Sequence, residues 1–181
     1  MRPLLRRLRR FARDTRGSVS VEFILAIPML IWAFGASVVY LDAYRQSSVN
    51  LKAAYTISDL ISRETGAVND TYIDAMLSLL HLLTAAEDPS TLRITIIRWD
   101  QDQGRYHVDW SANRGFLFAH DDVTVMAIED RLPVLPDGER VILVETRYRY
   151  DPLFNVGLGV IDLDNFVFAR PRFAPQVVWG S

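Results

Sequence analysis

Nineteen consecutive residues, 23–41, carry no formal charge, and extending the run back to Ser18 gives 24 residues in which Glu22 is the only charge. A helix rises 1.5 Å per residue, so about 20 residues cross the roughly 30 Å hydrocarbon layer of a bilayer, and this run is long enough to do so. Its flanks give it a direction. The first 17 residues hold seven arginines (Arg2, Arg6, Arg7, Arg9, Arg10, Arg13, Arg16) against Asp14, a local net of +6. The remainder has 13 basic and 21 acidic residues, a net of −8 that the overall −2 conceals. The positive-inside rule then leaves residues 1–17 in the cytoplasm and puts residues from about 45 onward on the far side. A buried helix of a soluble domain is one alternative and an export signal is another. The signal fits less well, because its apolar part runs 7 to 15 residues and ends in a small-x-small site, a pattern that Phe34 and Val38 interrupt.

At the junction of the basic tract and the apolar run, residues 16–23 read Arg-Gly-Ser-Val-Ser-Val-Glu-Phe. Glycine closes the leader and a glutamate follows five positions later, inside the apolar segment. This resembles the processing site of type IV pilin-like proteins, in which a membrane aspartyl peptidase cuts after the glycine on the cytoplasmic side. Glu22 followed by Phe23, with a small residue at the first mature position, more specifically resembles the TadE-like (TadE/TadF) pseudopilins of the tight-adherence, or Flp-type, pilus and secretion system. The resemblance is sharp over residues 13–41 and softer at residues 148–154 and 169–172. It implies a cut between Gly17 and Ser18, with Glu22 and Phe23 serving assembly through pairing with the new amino terminus. It also implies a non-enzymatic minor pseudopilin without cofactors, held in the bacterial inner membrane by a single pass. Its partners would be the prepilin peptidase, other pilins and pseudopilins, and the Tad assembly machinery.

The same residues stand out on physical grounds. A carboxylate at the centre of a membrane helix costs about 2.5–3.5 kcal/mol on insertion scales, so one retained there usually has a task. Near the cytoplasmic end the cost is smaller, and in a first turn the positive end of the helix dipole would favour it, so a tolerated interfacial charge is the plain alternative for Glu22. Cleavage after Gly17 would create an amine one turn before Glu22, and the carboxylate of its own or a neighbouring chain could neutralise it. Gly17 lets an extended backbone enter a narrow site, or merely breaks a helix. Pro28 would kink or loosen the helix, which membrane helices tolerate.

Beyond the span, Val49, Ala53, Ile57, Leu60 and Ile61 continue a helical stripe until Gly66, giving a helix of about 45 residues. Asp70-Thr71 caps a second helix carrying Ile73, Met76, Leu77, Leu80 and Leu83, stopped by Asp88-Pro89. The period then changes to two: Leu92, Ile94 and Ile96 alternate with Arg93, Thr95 and Ile97, and a turn at residues 102–104 leads to Tyr106, Val108 and Trp110 on a partner strand. A short helix follows Asp121-Asp122, and a turn at residues 136–138 precedes a strand over about 139–150. Residues 115–120 and 156–164 read as loops, and a last strand covers about 165–173. The expected fold is α+β and pilin-like: a transmembrane helix continuing into a long helix packed on a small antiparallel sheet, in the order α-α-β-β-α-β-β. The divisions are residues 1–17 (leader), 18–44 (membrane segment) and 45–181 (exported domain).

Half the residues are hydrophobic and 23% are charged, which excludes a disordered chain. With no cysteine, disulfides, thiolate metal sites and cysteine nucleophiles are excluded. His81, His107 and His120 lack metal-ligand spacing and read as surface or packing residues. The acid clusters Asp100-Asp102 and Asp121-Asp122 could hold calcium but lack the full ligand series of a calcium loop. Gly157-Leu158-Gly159 is no dinucleotide fingerprint, and no Walker motif or nucleophile elbow occurs. The leader is topogenic rather than a nucleic-acid tail, since aromatics are not spaced through it. The expected site list therefore holds no catalytic residue and no metal ligand. The competing readings are an uncleaved, membrane-anchored envelope-binding or assembly module and an exported enzyme without a visible motif.

Overall fold

The computed structural model describes residues 18–85 and 90–180, with side chains from residue 21 onward. The architecture is α+β. The elements are α1 (Ser18–Ser62), α2 (Asp70–Thr84), β1 (Thr91–Asp100), β2 (Arg105–Arg114), α3 (Asp122–Met126), a 3-10 turn (Glu129–Arg131), β3 (Arg140–Tyr150) and β4 (Ile161–Ala169). All four strands form one antiparallel sheet in the order β2-β1-β3-β4. The chain divides into two compact units, one of Met1–Asp42 with Pro152–Gly159 and one of Ala43–Asp151 with Val160–Ser181.

In the first unit, α1 is long and apolar enough to cross a membrane, and nearly all of its most apolar stretch is open. Phe23, Ile24, Leu25, Met29, Leu30 and Phe34 are each more than 60% exposed. The helix runs through Pro28, which has no N–H to give the carbonyl four residues earlier. Ser37 donates to the Ala33 carbonyl at 2.8 Å and so adds no unsatisfied hydroxyl.

In the second unit the same helix is one-sided. Ala53, Ala54, Ile57, Ser58, Ile61 and Ser62 are buried at three- and four-residue spacing, whereas Leu60 is 37% exposed. Ala53, Ile57 and Ile61 pack with Ile73 and Leu80 of α2 and with Leu92, Ile94, Ile96, Ala112, Ile142 and Val144 of the sheet. Asn69, rather than the Asp70-Thr71 pair, caps α2: its side chain accepts from the Tyr72 N–H at 3.0 Å. The tail closes this side, since Val68 bridges Trp179 in parallel and Trp110 Nε1 donates to the Val177 carbonyl at 2.7 Å.

The opposite face of the sheet is also covered. Ile97, Tyr106, Val141 and Leu143 pack with Val125 of α3 and with Leu132 and Leu135 of the following segment, which makes a second core. A bulge divides β2 between the two cores: Ile96 pairs with Trp110 but Ile97 with Val108, so Asp109 is an extra residue. Tyr106 and Val108 therefore join the second core while Trp110 packs on the first. The last strand starts at Ile161 and ends at Ala169, earlier than the expected 165–173. Its register is set by pairing with β3, where Tyr150 meets Ile161 and Ile142 meets Ala169.

A chain starting at Ala43 keeps the whole inner half of α1, whereas one starting at Val68 loses Ala53, Ile57 and Ile61 from the first core. Each buried isoleucine is worth about 1.5–3 kcal/mol, and domains are stable by only about 5–15 kcal/mol. The expected outcome in urea melts is cooperative unfolding for the Ala43 chain and a broad, early transition for the Val68 chain; equal midpoints would refute this role for the helix.

Candidate functional site

Two places on the chain bring chemistry together. The first is the start of α1. Counted from Ser18, Glu22 stands in the second helical turn, and no acid occupies the first, so the dipole argument for a first-turn carboxylate does not apply. Glu22 and Phe23 are both exposed, Phe23 by 63%. Gly17 lies outside the described residues, and only the helical backbone is described for Ser18.

The second is a recess of about 500 Å³ beside the second core, lined among others by Arg93, Phe116, Phe118, His120, Glu145 and Arg147. Its floor is a buried ion cluster. Arg93 of β1 and Glu145 of β3 face each other in register across the sheet. Arg93 Nε donates to Glu145 Oε2 at 2.7 Å and Nη2 donates to Oε1 at 2.8 Å, a bidentate pair at 9% and 13% side-chain exposure. His120 Nε2 lies 2.9 Å from Glu145 Oε2, and His120 Nδ1 lies 3.1 Å from Thr124 Oγ1. Burial alone would raise the Glu145 pKa, but hydrogen bonds from His120 and Arg93 and their charges outweigh it and hold the carboxyl below its ordinary value. The carboxylate is thus ionised, and His120 Nε2–H donates to it.

The loop at residues 115–120 builds the wall. Gly115 has φ +86°, and a Cβ there would stand 2.6 Å from Thr91 Cγ2, so this turn requires glycine. It lets Phe116 and Phe118 fold back over the Arg93 guanidinium, at 4.6 and 5.5 Å from the ring centroids, while the Phe118 carbonyl accepts from Arg93 Nη1 at 3.2 Å. The His120 N–H donates to Ser111 Oγ at 3.0 Å, which fixes the end of the loop to β2. At the rim, Arg147 pairs with Asp164 at 2.6 Å, and Arg131 lies 4.1 Å from the Phe166 ring centroid.

This cluster does not make a hydrolytic triad. Thr124 Oγ1 already accepts from the Asp121 N–H at 2.8 Å and lies 2.7 Å from Asp121 Oδ1, within the capping box that starts α3. Of the acids at residues 100–102 and 121–122, three serve a turn, a cap and a strand. Asp100 accepts from the Gln103 N–H, Asp121 caps α3, and Asp122 accepts from His107 Nδ1 and the Val108 N–H. Among the described residues, no group of three or more His, Asp or Glu side chains converges as a metal site would require. Sequence reading missed the Arg93–Glu145–His120 cluster. The available signal was a charged residue beside apolar residues in each of two strands, Leu92-Arg93-Ile94 and Val144-Glu145-Thr146, which only the register brings together.

No family model matches this chain, and no curated protein matches it.

Replacing Glu145 by Gln leaves the Arg93 charge buried without its partner, a change that typically costs about 3–5 kcal/mol. Because the folded-state pKa of Glu145 is lowered, its stabilisation is complete above the unfolded glutamate value of about 4.3 and is lost as pH falls through the lower folded value. Denaturant melts should show Glu145→Gln clearly destabilised at pH 7, with the gap to the parent chain narrowing at more acidic pH. A gap that is constant or grows on acidification would refute the assignment.

Proposed function

We propose that this chain is a TadE-like minor pseudopilin: a structural, non-enzymatic subunit that helps assemble or prime a Flp/Tad-type pilus or secretion apparatus. The observation that carries the reading is α1, one helix whose first half is apolar and open and whose second half is built into an α+β unit. The leader arginines, Gly17, and Glu22 with Phe23 stand at its start with the spacing of a prepilin junction. In this account the chain waits in the inner membrane with residues 1–17 in the cytoplasm and the acidic distal unit exported. A prepilin peptidase hydrolyses the Gly17–Ser18 peptide bond, water supplying the glycine carboxylate and the Ser18 amine. The freed helix then leaves lipid for a bundle of like helices, where its open apolar surface meets other pilins.

A second reading, an uncleaved membrane-anchored binding module, is favoured by the 500 Å³ recess over the ion cluster. Processing separates the two. In cells with the cognate peptidase, intact-mass measurement of the extracted protein should find 164 of the 181 residues, beginning at Ser18. Gly17→Leu should retain the leader because of its bulk. A full-length parent chain would overturn the pseudopilin reading in favour of the anchor.

Glu22 separates the readings once more. If its carboxylate neutralises the Ser18 amine of a neighbouring chain, Glu22→Gln keeps insertion, cleavage and distal folding but strands a buried amine, at a typical cost of about 3–5 kcal/mol. Co-purification with the pilus machinery at matched expression should fall sharply. Equal recovery would show that Glu22 is an interfacial charge only.

A further inference from the structure

The segment Pro152–Gly159 leaves the end of β3 and belongs, by its contacts, to the same compact unit as the apolar half of α1. Its Val156 is 8% exposed, and one of its methyls stands 3.9 Å from where a Cβ on Gly35 would lie. On α1, Gly35, Ala36, Val39 and Asp42 are the more covered positions of a stretch that is otherwise open, and their spacing puts them on one helical face. The 3.9 Å distance at Gly35 is an ordinary van der Waals contact, so the loop lies against α1 here. Gly157, at φ +102°, turns the loop back.

Two of the loop's apolar side chains are open. Leu153 is 84% exposed and Phe154 58%. Between Asp151 and Asp162 there are ten residues without a formal charge. Such a loop is poorly suited to water, yet it is unsuited to the hydrocarbon core as well, where irregular backbone would leave polar groups unpaired. The headgroup–acyl boundary, wet enough for the backbone and apolar enough for Leu and Phe, satisfies both. Depth agrees. Gly35 lies seven residues, about 10 Å, before Asp42, the first charge after Glu22. Tyr40 and Tyr44, 53% and 75% exposed, stand in the next turns as interfacial aromatics do.

We propose that Pro152–Gly159 is a second membrane contact, a loop seated on α1 that inserts Leu153 and Phe154 into the lipid interface on the side of the distal unit. The inference rests on α1 spanning a membrane, and its test tells the two apart. Because the chain has no cysteine, single cysteines can be introduced and labelled with a polarity-sensitive nitrobenzoxadiazole group in the full chain. The labelled chain is reconstituted in phosphatidylethanolamine/phosphatidylglycerol vesicles carrying nitroxide lipids, shallow or deep. Phe154→Cys reports on the loop, with Leu153→Cys as a second position should the first misfold. Leu30→Cys reports on the span and Gln103→Cys, in the charged β1–β2 turn, on water.

The loop labels should be quenched more strongly by shallow than by deep nitroxides, and several-fold less by aqueous iodide than the Gln103 label. The Leu30 label should respond to the deep nitroxide. A loop label as open to iodide as Gln103, or shielded from both iodide and lipid, overturns the inference while a lipid-quenched Leu30 leaves the span standing. A Leu30 label that lipid does not quench overturns both.

Discussion

One unbroken helix has to suit two surroundings, and the rest of the fold follows from how it does so. Through residues 21–42, α1 is apolar on nearly every side, a surface that water penalises and lipid accepts. Past Ala43 it becomes amphipathic, and its buried stripe supplies a wall of the first core. Because the backbone hydrogen bonds of a helix are internal, the change needs no break in the chain, only a change in which side chains face outward. The sheet must then present Leu92, Ile94, Ile96, Ile142 and Val144 to that stripe, and this sets the strand register.

With one sheet face committed to the helix, the other face required its own cover. The Asp121 capping box starts α3 where its side chain and that of Thr124 can satisfy each other's backbone N–H groups, and Val125 drops onto Ile97 and Leu143. The Asp109 bulge re-aims β2 so that Trp110 serves one core and Tyr106 the other. Toward the Thr91 end of β1 that second face is not apolar. Thr95 and Ser111 share a hydrogen bond at 2.8 Å, and Arg93, Glu145 and His120 occupy the space beyond. A buried charge survives there because every partner is in place: a bidentate carboxylate, a carbonyl, and two aromatic faces.

What could be read in the sequence was what local period and composition determine. A 19-residue charge-free run and a stripe at Ala53, Ile57 and Ile61 describe α1 without reference to anything distant in the chain, and alternation with turn residues marks β1, β2 and β3. The errors arose where long-range pairing decides. Residues 156–164 carry two glycines and two aspartates, which read as loop, yet pairing with β3 draws residues 161–164 into a strand where Asp164 meets Arg147. Asn69 took the cap from Asp70 because only its side chain reaches the Tyr72 N–H. His120 read as a packing residue because Glu145, its partner, lies 25 residues away on β3. At the start of α1, Glu22 and Phe23 lie on an open helical surface.

That openness bears on why Glu22 is tolerated at all. A carboxylate in the second turn of an apolar helix gains little from the dipole, whose field fades within the first turn. A first-turn position does not account for it, and in the proposed pseudopilin reading a cation brought near or the polar edge of the bilayer would lower its cost. In the proposed reading the leader arginines would put positive charge on that side of the membrane before cleavage, and the Ser18 amine would restore a positive charge one turn away afterwards. On this argument the acid has a counter-charge at each stage, first seven guanidiniums and then one amine. The second pairing is the stronger where neighbouring helices exclude water, because the same two charges attract more in a medium of lower dielectric.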